Sequence, residues 1–206
     1  MIEAEAQAVL DRHARSFRFA QFFLGPEARR ESAIAYAFCR LVDDTVDEAS
    51  SPEKARSELD AIEDSLKTPS LTDALIAAYQ RLAERRRFGL EPAFQLILGA
   101  RSDLTNVRVE NDDELLTYCY RVAGTVGEMM SGILGVTAPD ARRHAIDLGI
   151  AMQLTNICHD VREYAARGRV YLPRNKLAEV GVETEWLLDV ERLDDDIELR
   201  NAVARV

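Results

Sequence analysis

The sequence predicts an all-α fold in a single domain, and three observations carry that expectation. Apolar residues recur at helical spacing through most of the chain, while the sustained alternation of half-buried strands is absent. The ten glycines and six prolines lie mostly between the periodic stretches. With 206 residues, 47% of them hydrophobic, the chain has material for one good core, so residues 1–206 are expected to form one domain.

Composition also narrows the class of function. No apolar run reaches membrane-spanning length, and the opening Met1-Ile-Glu-Ala-Glu-Ala is acidic where a signal peptide would be basic. A soluble, cytoplasmic protein is expected, with peripheral membrane association left open. A net charge of -10 argues against nonspecific binding to nucleic acid. It does not argue against one anionic ligand in a local basic pocket. Cys39, Cys119 and Cys158 all sit within apolar helical patterns, so they are read as reduced core residues.

An amphipathic segment opens the chain and runs to about Arg12, followed by the basic, aromatic patch His13-Ala-Arg-Ser-Phe-Arg-Phe-Ala. Gly25-Pro26 starts a long helix reaching about Glu48, with Pro26 suited to a first turn. Its interior is apolar except for one stripe of Tyr36, Arg40, Asp43 or Asp44, and Asp47. Asp43 and Asp47 are four residues apart, where like charges destabilise an isolated helix, so a cation or another compensating partner is required.

Ser51-Pro52 opens a helix over about 52–66 with a solvent-facing pattern. After Thr68-Pro69-Ser70 comes a helix to about Arg87, ending in Arg81, Arg85, Arg86 and Arg87. That cluster is read as a solvated helix end, where cations suit the dipole, in preference to a membrane or partner contact. Gly89 and Pro92 set off a helix over about 92–105. Asn111 caps the next, with Asp112, Asp113 and Glu114 in its first turn and an end near Val136. Tyr120, Gly124, Gly127, Ser131 and Gly135 line one face of it. Each helical glycine costs about 1 kcal/mol relative to alanine. Close helix packing or a smooth channel floor would each explain that cost.

Thr137-Ala-Pro-Asp opens a nearly all-apolar helix that is expected to be buried on most sides. Gln153, Asn156, Asp160 and Glu163 follow at steps of three, four and three, so they would share a face. A basic, glycine-containing loop follows and stops at Pro173. Beyond it lie a short segment near Lys176, a loop at Gly181, Glu185-Trp186-Leu187-Leu188, and Asp194-Asp195-Asp196, read as a helix start.

Two carboxylate stripes on apolar helices suit a pocket in which opposed helices chelate magnesium, an ion that needs few carboxylates when phosphate oxygens complete its shell. Arg15, Arg18, Arg40, Arg167 and Arg169 could neutralise a diphosphate. Metal and arginines together would stabilise diphosphate as a leaving group. The carbocation left behind needs an apolar, aromatic, water-poor cavity, for which Phe17, Phe22, Phe23, Tyr36, Phe38 and Tyr120 are available. Ordinary solvated acids and ordinary core aromatics are the competing reading. Cys158 and His159 are adjacent and point about 100° apart on a helix, which disfavours zinc or a Cys/His nucleophile. Gly124-x-x-Gly127 lacks a preceding strand and a Walker lysine, so it is no nucleotide loop.

These motifs resemble the squalene/phytoene synthases, which join two prenyl diphosphates head to head. His13-Ala-Arg-Ser-Phe and Cys39-Arg-Leu-Val-Asp-Asp-Thr-Val-Asp look like the family's substrate-binding start and first aspartate-rich motif. Tyr118-Cys-Tyr-Arg-Val-Ala-Gly-Thr-Val-Gly resembles its central helix. Gln153-Leu-Thr-Asn-Ile, Asp160 and Gly168-Arg-Val-Tyr-Leu-Pro resemble its second motif and trailing loop. The match runs in order from about residue 13 to 188.

The resemblance implies a helical bundle of the isoprenoid synthase type, with two aspartate-bearing helices facing a central cavity. It implies that Asp43, Asp44, Asp47, Asn156, Asp160 and Glu163 ligate or position magnesium. His13, Arg15, Ser16, Tyr36, Arg40 and Arg169 would serve the diphosphates, while Tyr120, Gln153 and Tyr171 would line the site. Catalysis would rest on Asp43, Asp47, Tyr120, Asn156 and Asp160. The implied reaction condenses two farnesyl or geranylgeranyl diphosphates, through a cyclopropyl diphosphate, to a squalene- or phytoene-type hydrocarbon. NADPH would enter only if the product is squalene. Three departures stand out. Tyr164 occupies the place of a usual aspartate, His159 that of a usual arginine, and the chain ends before the family's C-terminal helices. They support a second expectation, a catalytically impaired member acting as a binding or assembly protein.

Overall fold

The structure, a computed structural model, describes residues 2–13, 19, 21–68 and 73–206, without the side chains of His13 and Pro139. Arg15, Ser16, Phe17 and Arg18 lie outside the described residues. The architecture is an all-α bundle; among the described residues the only β pairing is an isolated parallel bridge between Arg108 and Val170. No helix among them is long and apolar enough to cross a membrane.

Helix α1 spans Ile2–His13, α2 Pro26–Asp47, α3 Pro52–Lys67, α4 Ala74–Arg86 and α5 Glu91–Ser102. Helix α6, Asp112–Cys119, passes through one π turn at Tyr120–Gly124 into α7, Thr125–Ile133. Helix α8 spans Pro139–His159, α9 Val161–Ala166 and α10 Arg174–Glu179. A 3₁₀ turn at Thr184–Leu188 then precedes α11, Val190–Asp195, and α12, Ile197–Val203.

Local chemistry fixes most of these ends. Pro26 and Pro52 sit in first turns, and the Ser51 hydroxyl accepts from the Lys54 amide. Asn111 accepts from the Glu114 amide at 3.0 Å, and Glu114 accepts from the Glu110 amide at 2.9 Å, so the cap is closed from both sides. Asp196 caps α12 through the Leu199 amide, as read from the aspartate run, whereas Asp194 instead holds Arg162 of α9 by two bonds of 2.6 and 2.7 Å.

One core gathers α1 to α5 and α7 around Phe38 and Tyr79, whose rings stack with centroids 4.0 Å apart. A second joins Val107 and Val109 to α6, the end of α8, Val170–Leu172 and the C-terminal helices. Helix α3 contributes Ala55, Leu59, Ile62 and Leu66 to burial, so it is amphipathic rather than solvent-facing.

The arginine cluster is also more than a solvated end. Arg85 and Arg86 each reach the buried Glu31 of α2 at 2.7 Å, and Arg86 also reaches Glu27. A buried carboxylate demands such partners, and they lock α2 to α4.

Helix α8 differs from its expectation in two ways. Among its described residues only Ile157 is buried. Leu148 and Met152 are 62% and 52% exposed, because that face walls an open cavity instead of packing against a neighbour. The helix also ends at His159, and α9 starts afresh after Asp160, whose backbone leaves the helical region at φ −106°, ψ 23°. The four-residue polar stripe is therefore not one continuous helical face. Cys158 is exposed, whereas Cys119 is buried and Cys39 half-buried; all three thiols are free.

Candidate functional site

A cavity of about 470 Å³ opens between α1, α2, α5, α7 and α8, within the range of small-molecule pockets. Its walls are mainly aliphatic, from residues such as Leu10, Leu96, Val126, Met130, Leu148 and Met152. Polar groups enter from two sides: Tyr36 and Asp43 from α2, Gln153 and Asn156 from α8. The expected aromatic lining is largely elsewhere. Phe38 is core, and Phe22 and Phe23 are 74% and 72% exposed.

The glycines of α7 and α8 bring the two helices together. A Cβ on Gly127 would lie 2.1 Å from the Ala145 carbonyl oxygen, and one on Gly149 2.4 Å from that of Ala123. Close packing thus explains Gly127, which also lies on the cavity wall. The two readings of the glycine stripe hold together at this one residue.

Asp43 is exposed to solvent at the cavity, although the helices around it leave its carboxyl incompletely hydrated. That loss of hydration pushes its carboxyl up to about 7; Arg40 offsets part of the shift, and Asp47, Asp44 and Asp103 add to it. Arg40 pairs with Asp44 at 2.5 Å. Asp47 lies 3.9 Å from the Arg169 guanidinium, a charge-assisted approach rather than a hydrogen bond. The Asp160 carboxylate accepts from the His159 ring at 2.5 Å, and that contact raises the imidazole pKa. Glu163 is exposed and pairs with Arg167 at 2.8 Å. Tyr120 bonds Glu128, which also holds Arg142. Of the expected site residues only Tyr36, Asp43, Gln153 and Asn156 are on the cavity wall; Arg40, Asp44, Asp47, Tyr120, Asp160, Glu163, Arg169 and Tyr171 are off it, and the side chains of His13, Arg15 and Ser16 lie outside the described residues.

Arg169 and Tyr171 sit on an extended segment whose start is set by Gly168. That glycine ends α9 at φ 75°, with the Arg169 amide donating to the Tyr164 carbonyl and the Gly168 amide to that of Ala165. The Val170 amide then bonds Val107, and the Arg174 amide bonds Val109. Alternate residues of an extended segment share a side, so Arg169 and Tyr171 face one way, opposite the equally buried Val170. Tyr171 donates to Asp103 at 2.7 Å. The Tyr118 hydroxyl lies 3.1 Å from the other Asp103 oxygen and 3.0 Å from that of Tyr171. Burial pushes both phenols well above their ordinary range, which keeps them donors. Sequence reasoning missed Asp103. The signal available was an aspartate closing an apolar helix without a capping role.

Among the described residues, no three His, Cys, Asp or Glu side chains gather as a chelating group. Asp43 and Asn156 nevertheless put hard oxygen donors on the wall of one cavity. That donor set fits magnesium, which takes one or two carboxylates and completes its shell with phosphate oxygens and water.

The fold has counterparts among known proteins. The chain is 38% identical over 183 residues to the phytoene synthase of Mycobacterium tuberculosis, covering 88% of this chain and 60% of that protein. It is 37% identical over 186 residues to the chloroplastic phytoene synthase 1 of Zea mays, covering 86% of this chain and 45% of the relative. The chain thus spans roughly half the length of these curated relatives. Among solved structures, a dehydrosqualene synthase bound to a ligand superposes with a TM-score of 0.81 at 29% identity, covering 98% of this chain and 72% of the other. A squalene synthase from Alicyclobacillus acidocaldarius gives 0.82 at 25% identity, covering 98% and 82%. The family model for squalene/phytoene synthase matches residues 10–206. A match over nearly the whole chain, on a bundle with this cavity, shows that the chain belongs to the squalene/phytoene synthase family.

Proposed function

We propose that this protein condenses two prenyl diphosphates head to head, through a cyclopropyl diphosphate, to a squalene- or phytoene-type hydrocarbon. The observation that carries the reading is the apolar cavity with Asp43, Gln153 and Asn156 on its wall. An aliphatic prenyl tail gains by leaving water, and the polar groups mark where its charged end would sit.

In this reading Asp43, Asp47, Asn156 and Asp160 hold magnesium, with Asp44 and Glu163 as further candidates. Magnesium would supply Lewis-acid stabilisation of the departing diphosphate. Arg40 and Arg169, with His13, Arg15, Ser16 and Tyr36, hold the diphosphates through charge-assisted bonds. Water is kept from the carbocation by the aliphatic walls of α7 and α8. Gln153 and Tyr171 position the reacting end, and Tyr120 works from the π turn. Asp43 must ionise to hold a cation, and a bound cation would favour that charge. The work would take place in the cytoplasm or at a membrane surface that supplies the apolar substrate.

Tyr164 and His159 favour a second reading, an impaired member that binds without turnover. Incubation with farnesyl or geranylgeranyl diphosphate and magnesium, with and without NADPH, separates the two. Diphosphate release with a hydrocarbon product supports catalysis. Binding without release supports the second reading.

A further inference from the structure

Asp103 lies just past the end of α5, outside both polar stripes and off the cavity wall. Its two carboxylate oxygens are taken by the phenols of Tyr118 and Tyr171, at 3.1 and 2.7 Å. The two rings stack with centroids 4.6 Å apart, and Tyr164 meets Tyr171 edge-on at 4.8 Å. Gln153, on the cavity wall, is a polar neighbour of the Tyr164 phenol. One aspartate thus fixes a cluster of three tyrosines reaching from α6 to α9 and to the polar side of the cavity.

The segment that carries Tyr171 also carries Arg169. It is held along its backbone by Val107 and Val109, and Arg108 donates to the Gly168 carbonyl at 3.0 Å. Those bonds fix the course of the segment, and the side chain of Tyr171 adds an anchor close to Arg169. Tyr171, held at its hydroxyl and packed on two rings, is suited to that role. With Tyr171 fixed, Arg169 two residues earlier is directed the same way, its side chain only 15% exposed and its guanidinium 3.9 Å from Asp47. Asp103 also attracts Arg169 electrostatically, so the guanidinium is within reach of two carboxylates, Asp47 and Asp103.

We infer that Asp103 is a positioning residue of the diphosphate site, acting through Tyr171 to hold Arg169 beside Asp47. The inference rests on the proposed function, because it needs Arg169 to meet an anion there. An arginine fixed in one orientation loses less rotational freedom when it binds phosphate oxygens. A cluster that only stabilised the fold would have no reason to couple to Arg169.

The test is calorimetric binding of inorganic diphosphate with magnesium to the full chain, in a double-mutant cycle. Asp103→Asn keeps the side-chain shape, and it should weaken binding about tenfold, the size of coupling within one hydrogen-bonded network. In an Arg169→Ala background the same substitution should have no further effect. Tyr171→Phe, which keeps the ring stack and removes one bond, should repeat both results and serves if Asp103→Asn does not fold. Unchanged affinity in Asp103→Asn or Tyr171→Phe would overturn the inference. Losses that simply add to that of Arg169→Ala would overturn it too, since they would show Asp103 acting independently of Arg169. Failure of the unsubstituted protein to bind would overturn the proposed function itself, and this inference with it.

Discussion

Asp43 is the residue on which neighbouring charge and the cavity wall meet. Its ordinary pKa is 3.8, and enclosure in the folded chain pushes it up to about 7. Between those values the folded chain holds a proton that the unfolded chain has lost, so stability falls as pH rises through the window. Above about 7 the whole penalty stands; below about 4 there is none. Asp43→Asn should therefore melt a few degrees above the unsubstituted protein at about pH 8 without metal, and no higher at about pH 4. Equal melting under both conditions would show that cavity water already solvates the carboxylate. Asp43 and Asp47 were legible in the sequence because like charges four apart on an apolar helix demand a reason. Asp103 was not, since its partners Tyr118 and Tyr171 lie 15 and 68 residues away. Its place at the end of an apolar helix was a weak signal, shared with any solvated helix end.

The same contrast holds for the helices. Their starts were readable wherever proline or a capping side chain marks them, as at Pro26, Ser51 and Asn111. The break after His159 was not readable, because neither glycine nor proline stands there and the helical spacing runs on through it. Helix contacts yield two predictions. Gly127→Ala places a methyl group 2.1 Å from the Ala145 carbonyl oxygen, so α7 and α8 must separate. Thermal unfolding should show a loss of about 1–3 kcal/mol, the usual cost of overpacking; a neutral result would mean the helices slide freely. The Glu31 clamp between α2 and α4 should be non-additive. Arg85→Ala and Arg86→Ala each leave Glu31 one partner, but the double variant strands a buried carboxylate. Its denaturant midpoint should fall by more than the sum of the singles, with a total of about 3 kcal/mol or more. Simple additivity would place Glu31 in contact with water.

For the whole molecule, the all-α class followed from periodicity alone, and the cavity did not. Helix α8 reads as buried because its residues are apolar, but Leu148 and Met152 face an open cavity. Hydrophobicity records that a surface avoids water, not whether a neighbouring helix or a ligand covers it. The resemblance to prenyl-diphosphate enzymes supplied what periodicity could not. The central claim is that Asp43 and the apolar cavity serve one ionisation reaction. Its most direct test measures diphosphate release and hydrocarbon product from geranylgeranyl or farnesyl diphosphate with magnesium, for the unsubstituted protein and Asp43→Ala. Product from the first and none from a natively helical Asp43→Ala is the predicted result; equal turnover in both would contradict the claim.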